Sequence, residues 1–245
     1  MGKTIVITSG KGGTGKTSVL CGIASCLAAM NYRVLCLDLD VGLRNLDIAL
    51  GMSDRVLMDF SDVIYQRCSL EDAVVEHPEI SNLYLLTAPL RTGGSRIDSI
   101  DLMTLLGQIR RQFDYCLIDS PAGIGSGFEL AGMGADRALV VSTTDPASLR
   151  DAQQAVNLLR SRNIPIHLVV NKMSKTMLRK LHTTIDDAMD TAGLPLLGIV
   201  PQDNKVPIYN SLGQSVILKE KRGAAIAYYN IARRLTGQRV PLHRF

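Results

Sequence analysis

Short, uninterrupted apolar segments recur along this chain of 245 residues, and they limit its possible folds more than any other feature. They lie at 4–8, 34–37, 83–86, 115–118, 138–142, 166–170 and 196–200. Helical patterns lie between or after them, at 18–30, 102–112, 148–160, 177–192 and about 221–235. Because the apolar segments do not alternate with polar residues, they are typical of strands that a parallel sheet buries on both faces. This order predicts an α/β fold with a single doubly wound, mostly parallel sheet.

The chain has no Pro-, Gly- or Ser-rich linker that would divide it into separate units. Since α/β folds of this length often form one unit, we expect one domain over 1–245, with a core at about 1–236 and a short tail at 237–245. No apolar run approaches the roughly 18 residues that a membrane-spanning helix needs. The apolar stretch near the N-terminus is too short for a signal peptide, so we expect a globular protein of the cytoplasm.

Composition argues against two classes of binding site. The five cysteines form no CxxC pair and the four histidines lack ligand spacing, which argues against a transition-metal centre. The net charge of +4 is too small to require nucleic acid, and an aromatic content of 4% without Trp argues against a base-stacking surface.

A glycine-rich loop directly after the first predicted strand carries the strongest chemical signal. The sequence GKGGTGKTS at 10–18 fits the phosphate-binding pattern GxxxxGK[ST], and an Ala- and Leu-rich helix follows it, as that pattern requires. The residues predicted to bind the nucleotide are Lys11, Gly12, Gly13, Thr14, Gly15, Lys16, Thr17 and Ser18. Lys16 would contact the β- and γ-phosphates and the Thr17 hydroxyl would hold Mg²⁺. An accidental glycine-rich turn would match in on the order of 1% of chains of this length.

Lys11 is a second lysine in this loop, and one nucleotide does not need both charges from its own loop. Either the side chain is solvated, or it crosses a dimer interface and contacts the nucleotide of the partner. In the second case it would resemble an arginine finger supplied in trans.

Polar residues follow several of the other predicted strands. Asp38 and Asp40 follow the second strand and Asp119 follows the fourth, as helix caps or loop residues would, or as carboxylates near Mg²⁺ and water. Asn171 follows the sixth strand, where its amide could read an adenine edge or simply begin a turn. No NKxD signature is present, which argues against guanine specificity.

The loop sequence KGGTGKT at 11–17 resembles the deviant Walker A signature of the ParA/MinD superfamily of dimerising ATPases. The stretch DLDVGLRNLD at 38–47 and the loop DSPAG at 119–123 resemble the MinD family more than the ParA family, whose second switch usually has the form DxPP. The resemblance extends from the first strand to about Arg234.

This resemblance implies ATP or ADP and Mg²⁺ as ligands, and a catalytic set of Lys11, Lys16, Asp40 and Asp119. Asp40 would orient the attacking water, Asp38 would support the metal shell with Thr17, and Asp119 would be the Walker B-type carboxylate, although the division of roles among the three aspartates stays open. The segment PAGIG at 121–125 is either a plain surface loop or, because small residues permit a backbone change, a second switch beside the γ-phosphate. The family's adenine pocket implies that Asn171 is joined by a PxD loop containing Pro201 and Asp203, and dimer or partner contacts are implied for Arg44, Asn45, Arg150 and Asp151.

The resemblance also implies a homodimer that forms with ATP and hydrolyses it slowly until a partner stimulates it. Its partners would be a MinC-like division inhibitor and a MinE-type or analogous regulator, and its role would be to position the division septum from the inner face of the cell membrane. Members of this family typically continue into an amphipathic membrane helix, which is not evident at 237–245. A ParA-like DNA-segregation ATPase and an FlhG-like flagellar-number regulator remain alternatives, although nucleic acid is not the expected partner.

Overall fold

The computed structural model describes residues 1–90, 97–182 and 184–242, and they contain one sheet of eight strands. The strands are β1 (Lys3–Thr8), β2 (Val34–Asp38), β3 (Val75–Glu76), β4 (Leu83–Leu86), β5 (Tyr115–Asp119), β6 (Arg137–Ser142), β7 (Ile166–Met173) and β8 (Leu196–Pro201). Their order in the sheet is β3-β4-β2-β5-β1-β6-β7-β8. All neighbours are parallel except the edge pair β3 and β4. The predicted doubly wound, mostly parallel α/β sheet is therefore confirmed.

Helices pack against both faces of the sheet and bury two apolar clusters there. The helices are α1 (Lys16–Ala29), α2 (Asn45–Ala49), α3 (Phe60–Ile64), α4 (Leu70–Ala73), α5 (Ser99–Gln112), α6 (Ser126–Met133), α7 (Pro146–Arg160), α8 (Lys175–Leu181), α9 (Ile185–Ala192), α10 (Lys205–Ser211), α11 (Val216–Lys219) and α12 (Ala224–Leu235). One cluster contains much of α1 and α12, and the other contains residues of α5 and α7. In the described part of the chain, no helix is both long enough and apolar enough to cross a membrane.

Helix α1 is buried on nearly all sides because it lies between the sheet and α12. A Cβ atom at Gly22 would lie 2.2 Å from the Tyr228 ring, so only glycine allows α1 and α12 to approach this closely. This packing holds the beginning of α1, and with it the glycine-rich loop, at the carboxyl end of the central strand β1.

Several predicted elements differ from the structure. The helix predicted at 177–192 is divided into α8 and α9, because His182 adopts a left-handed φ of 51° and Thr184 begins a new helix with a capping box. The first helix after β6 begins at Pro146, where Asp145 caps it, rather than at 148. Strand β3 and the short helices α2, α3, α4, α6, α10 and α11 were not predicted, since elements of a few residues show no hydrophobic period. Part of the predicted tail, 243–245, and residue 183 lie outside the described residues.

Candidate functional site

The glycine-rich loop at 10–18 connects β1 to α1, as the motif predicts. Gly15 precedes the first turn of α1 with a left-handed φ of 87°, a conformation that favours glycine. A Cβ atom there would also lie 2.5 Å from Nδ2 of Asn171. By contrast, a Cβ atom at Gly13 would meet nothing within 4 Å. The loop is therefore closely packed on the side of Asn171 and open at Gly13, which suits a cradle for an anion at the N-terminus of a helix.

Lys16, Thr17 and Asp119 meet at the carboxyl ends of β1 and β5. Nζ of Lys16 lies 3.2 Å from Oδ1 of Asp119, within ion-pair distance. The Thr17 hydroxyl donates a hydrogen bond of 2.6 Å to Oδ2 of the same carboxylate. Asp119 is only 1% exposed, and burial raises the pKa of its carboxyl group, while the Lys16 charge and the Thr17 hydrogen bond act in the opposite direction.

Asp38 is paired in register with Asp119, so two carboxylates end neighbouring strands. Its Oδ1 accepts a hydrogen bond of 2.8 Å from the backbone N–H of Asp40, and its Oδ2 accepts one of 3.3 Å from that of Leu46. Burial, together with the charge of Asp119, raises the pKa of Asp38 to about 7, against the effect of these hydrogen bonds. Asp38 therefore organises the segment from Asp40 to α2, while Asp40 itself lies at a partly exposed position.

The chemistry of these side chains fits Mg²⁺ bound together with a nucleotide. Mg²⁺ takes oxygen ligands and keeps several waters, and it is usually bound by one or two protein groups plus phosphates. Thr17 supplies a hydroxyl, and Asp38 and Asp119 supply carboxylates at neighbouring strand ends. Among the described residues, no group of three or more His, Cys, Asp and Glu side chains could hold a metal by itself. The ion would consequently need phosphate and water ligands as well.

The five residues predicted to make dimer or partner contacts have different surroundings. Nζ of Lys11 lies 3.8 Å from Oδ2 of Asp145, and both side chains are about half exposed. Nε and Nη2 of Arg44 donate hydrogen bonds of 3.2 Å and 2.8 Å to Oδ2 of Asp47. Asn45 and Arg150 are exposed, and Asp151 is partly buried.

The residues predicted to surround the base bind neighbouring loops in this structure. Asn171 is 4% exposed, and its Nδ2 donates a hydrogen bond of 2.8 Å to the carbonyl oxygen of Thr14. Oδ1 and Oδ2 of Asp203 accept hydrogen bonds from the N–H groups of Lys205 and Ala224, near the beginnings of α10 and α12. Pro201 ends β8. Contact of these residues with a base remains a prediction.

Two residues near the loop carry no signal in the sequence motifs. Nζ of Lys172 donates a hydrogen bond of 2.7 Å to the carbonyl oxygen of Gly13. Nδ2 of Asn210, on α10, donates one of 2.8 Å to the Ser18 hydroxyl. Lys172 directly follows the predicted Asn171, which was the only available hint, whereas Asn210 is 192 residues from Ser18 in the chain.

Comparisons with known proteins agree with this geometry. A ParA family model, described as an NUBPL iron-transfer P-loop NTPase, matches residues 1–236. The septum site-determining protein MinD of Bacillus subtilis is 38% identical over 99% of this chain and 92% of its own length. MinD of Synechocystis sp. is 36% identical over 100% of this chain and 93% of its own length.

Solved structures that resemble this chain are also MinD proteins. A MinC:MinD cell division complex from Aquifex aeolicus matches with a TM-score of 0.92 and 36% identity, covering 99% of each chain. MinD of Pyrococcus horikoshii, solved with Mg-ADP, matches with a TM-score of 0.86 and 27% identity, covering 96% of each chain. The chain therefore belongs to the MinD family of septum site-determining proteins, within the ParA group of P-loop NTPases.

Proposed function

We propose that this chain is an ATPase that acts as a dimerising switch in placing the division septum. The observation that carries the proposal is the meeting of Lys16, Thr17 and Asp119 at the loop between β1 and α1. A phosphate chain in this cradle would meet the positive end of the α1 dipole, the Lys16 ammonium and the Thr17 hydroxyl. The Mg-ADP in the Pyrococcus horikoshii relative supports the same ligand class here.

In this proposal the side chains divide the work of hydrolysis. Lys16 neutralises charge on the β- and γ-phosphates, and Thr17 holds Mg²⁺, which neutralises further charge when it is bound. Asp119 orients Lys16 and Thr17 through the contacts already described. Asp38 holds the backbone of Asp40, so that the Asp40 carboxylate is placed to orient the attacking water.

ATP would close a homodimer across the two phosphate loops, with each Lys11 contacting the nucleotide of the partner subunit. The exposure of Lys11 and its long separation of 3.8 Å from Asp145 support this role, because little holds the side chain within its own subunit. Hydrolysis would be slow until a MinE-type or analogous regulator completes the site.

The ATP-bound dimer would recruit a MinC-like division inhibitor to the inner face of the cell membrane. The MinC:MinD complex of Aquifex aeolicus supports this partner class. Arg44, Asn45, Arg150 and Asp151 are the proposed contacts with the partner or the second subunit. Sedimentation with anionic vesicles, with ATP and with ADP, tests recruitment, and ATP-independent sedimentation would contradict it.

Iron transfer, which appears in the description of the matching family model, is not proposed for this chain. Cys21, Cys26, Cys36 and Cys116 are buried, and Cys68 is partly exposed. No metal-holding group of three or more His, Cys, Asp and Glu side chains occurs in the ranges that the structure describes.

The first experiment measures ATP binding and hydrolysis with Mg²⁺ for the wild type and for Lys16→Ala. We expect the variant to lose hydrolysis by at least about 100-fold, because a charge placed at the transferring phosphate is removed. Lys3→Ala is the matched control, since Lys3 is an exposed lysine at the amino end of β1, away from the loop. A Lys16→Ala protein with wild-type turnover would contradict the proposed site.

The second experiment measures molar mass by light scattering with ATP, with ADP and without nucleotide. The wild type should form a dimer with ATP only, and Lys11→Ala should stay monomeric, whereas Lys3→Ala should dimerise normally. A strict monomer with normal ATPase activity would rule out the dimer mechanism.

A further inference from the structure

We propose that Asn171 and Lys172 form a clamp that orients the phosphate loop, and that Lys172 is a positioning residue for nucleotide phosphates. The inference rests on the proposed ATP binding and assigns a role to a lysine outside the loop motif. Nδ2 of Asn171 and Nζ of Lys172 donate hydrogen bonds of 2.8 Å and 2.7 Å to the carbonyl oxygens of Thr14 and Gly13, respectively. Two consecutive residues thus bind two consecutive carbonyl groups.

A regular strand would not allow this arrangement, because successive side chains point to opposite faces. The pairing of β7 with β8 is irregular at this position: Val170 is opposite Ile199 and Met173 is opposite Pro201. The chain therefore advances three residues on β7 against two on β8, which places one extra residue at Asn171 and Lys172. Lys172 also has a left-handed φ of 53°, which is uncommon for a residue with a Cβ atom. A bulge of this kind redirects a side chain, and here both side chains reach the same loop.

Because the peptide bond is planar, holding these two carbonyl groups also fixes the directions of the N–H groups that follow them. In a trans peptide, the C=O of one residue and the N–H of the next point in opposite directions. Holding the Gly13 carbonyl towards Lys172 therefore points the N–H of Thr14 away from β7. Holding the Thr14 carbonyl towards Asn171 does the same for the N–H of Gly15.

These amides are among the groups that a phosphate loop offers to an anion. The clamp also keeps two carbonyl oxygens away from the bound phosphates, which they would repel. The Lys172 ammonium contributes a charge-assisted hydrogen bond, which is stronger than a neutral one. The two side chains thus set the orientation of the loop before the nucleotide arrives.

A direct contact between Lys172 and the base is the competing explanation, and a ligand without a base separates the two. We would measure the affinities of Mg-ATP and Mg-tripolyphosphate by competition with a fluorescent ATP analogue. The proteins are the wild type, Lys172→Met, Lys172→Arg and the control Lys175→Met, an exposed lysine at the beginning of α8.

For Lys172→Met we expect a loss of about tenfold in affinity for both ligands, from the loss of one charge-assisted hydrogen bond. KM for ATP should rise by a similar factor while kcat changes less than about twofold, because the clamp acts alike on the ground and transition states. Lys172→Arg should retain most of the affinity, and Lys175→Met should bind as the wild type does. A loss for Mg-ATP alone would assign Lys172 to the base and overturn the clamp.

Lys172 is exposed, so the methionine variant should fold, and its thermal transition is measured alongside. If the wild type binds Mg-ATP and Lys16→Ala does not, unchanged binding by Lys172→Met overturns the clamp and leaves the proposed function standing. If the wild type itself does not bind Mg-ATP, both proposals are wrong.

Discussion

The two ends of the sheet differ in how their polar groups are satisfied. At the amino ends of the strands, Asp136 accepts a hydrogen bond of 2.7 Å from the N–H of Thr4. Arg110 adds bonds to the Thr4 hydroxyl, the Gly134 carbonyl and Oδ1 of Asp136, at 3.0, 2.7 and 3.0 Å. These hydrogen bonds connect α5 to β1 and to the residues just before β6.

Buried polar groups also lie at the carboxyl ends of β1, β2 and β5, and some of them have no hydrogen-bond partner among the described residues. Asp38 and Asp119 are buried, and burial raises the pKa of each carboxyl group. The hydroxyls of Thr8 and Thr14 are buried with no hydrogen-bond partner among the described residues. Buried polar groups in folded proteins normally have partners, so an end with several exceptions is where a ligand is expected. The comparison indicates that the network around Arg110 stabilises the fold, whereas the groups without partners at the carboxyl end mark the place where a ligand is expected.

The largest expected effect comes from changing a carboxylate at each end. Asp119→Asn should lower ATP hydrolysis by at least about 100-fold while keeping the fold, because the amide preserves the shape but not the charge. Asp136→Asn should leave kcat unchanged and lower the melting temperature instead. Steady-state ATPase rates and thermal unfolding are measured for both variants. Near wild-type turnover by Asp119→Asn would contradict the proposed difference between the two ends of the sheet.

The second effect is the pH dependence of stability at Asp38. Its pKa of about 7 in the folded protein is above the ordinary value of 3.8, so between these values the folded state keeps a proton that the unfolded state has released. The free energy of unfolding should therefore fall as pH rises through this window and level off above pH 7. In Asp38→Asn this contribution is absent, so its stability relative to the wild type should increase by on the order of 3 kcal/mol between pH 5 and pH 8.

Urea unfolding of the nucleotide-free and magnesium-free proteins at several pH values measures this difference. Asp54→Asn, at an exposed position that does not contribute to the pKa of Asp38, serves as the control and should follow the wild type. If the difference in the free energy of unfolding between Asp38→Asn and the wild type does not change with pH, folding does not raise the pKa of Asp38.

The third effect concerns the structural end. Arg110→Ala should lower the free energy of unfolding by about 2 kcal/mol, because two of its three hydrogen bonds are partly buried and their loss leaves acceptors unpaired. Arg111→Ala, an exposed neighbour on α5, should change it by less than about 0.5 kcal/mol. Both variants should bind Mg-ATP normally in a calorimetric titration. A matching loss of nucleotide affinity in Arg110→Ala would show that the two ends are coupled.

The smallest effect is expected for Lys11→Ala. Its pair with Asp145 is exposed and long, so the free energy of unfolding of the monomer should change by less than about 0.5 kcal/mol. Chemical unfolding without nucleotide measures this change. A larger loss would mean that Lys11 stabilises its own subunit, which would weaken its proposed role across a dimer.

Much of the fold could be predicted because continuous apolar segments identify buried strands with little dependence on context. The predicted strand at 83–86 has the same bounds as β4. The helix predicted at 177–192 was wrong as one element, because capping by Thr184 outweighs an amphipathic pattern that continues past it. Strand β3 has two residues, too few for any period to be visible.

The site was predictable where a local motif specifies the chemistry. The loop motif alone predicted Lys16 and Thr17 as neighbours of a phosphate, and the structure places both at the beginning of α1, in contact with Asp119. The hydrogen bond between Asn171 and Thr14 could not be predicted, because a bulge between β7 and β8 redirects the side chain. Lys172 was missed because the same bulge directs its side chain to Gly13, which is 159 residues away in the sequence.

The sequence by itself determined the α/β class, the phosphate loop and the helix behind it, because each depends on residues that are close in the chain. The tertiary structure alone decided which distant groups meet this loop. Asp119 is 102 residues from Thr17, and the strand order puts β5 beside both β1 and β2. That order follows from packing helices on both faces of a twisted sheet, and it brings the carboxylates to the loop at one end. Local sequence specifies the elements, whereas long-range packing specifies which side chains share a site.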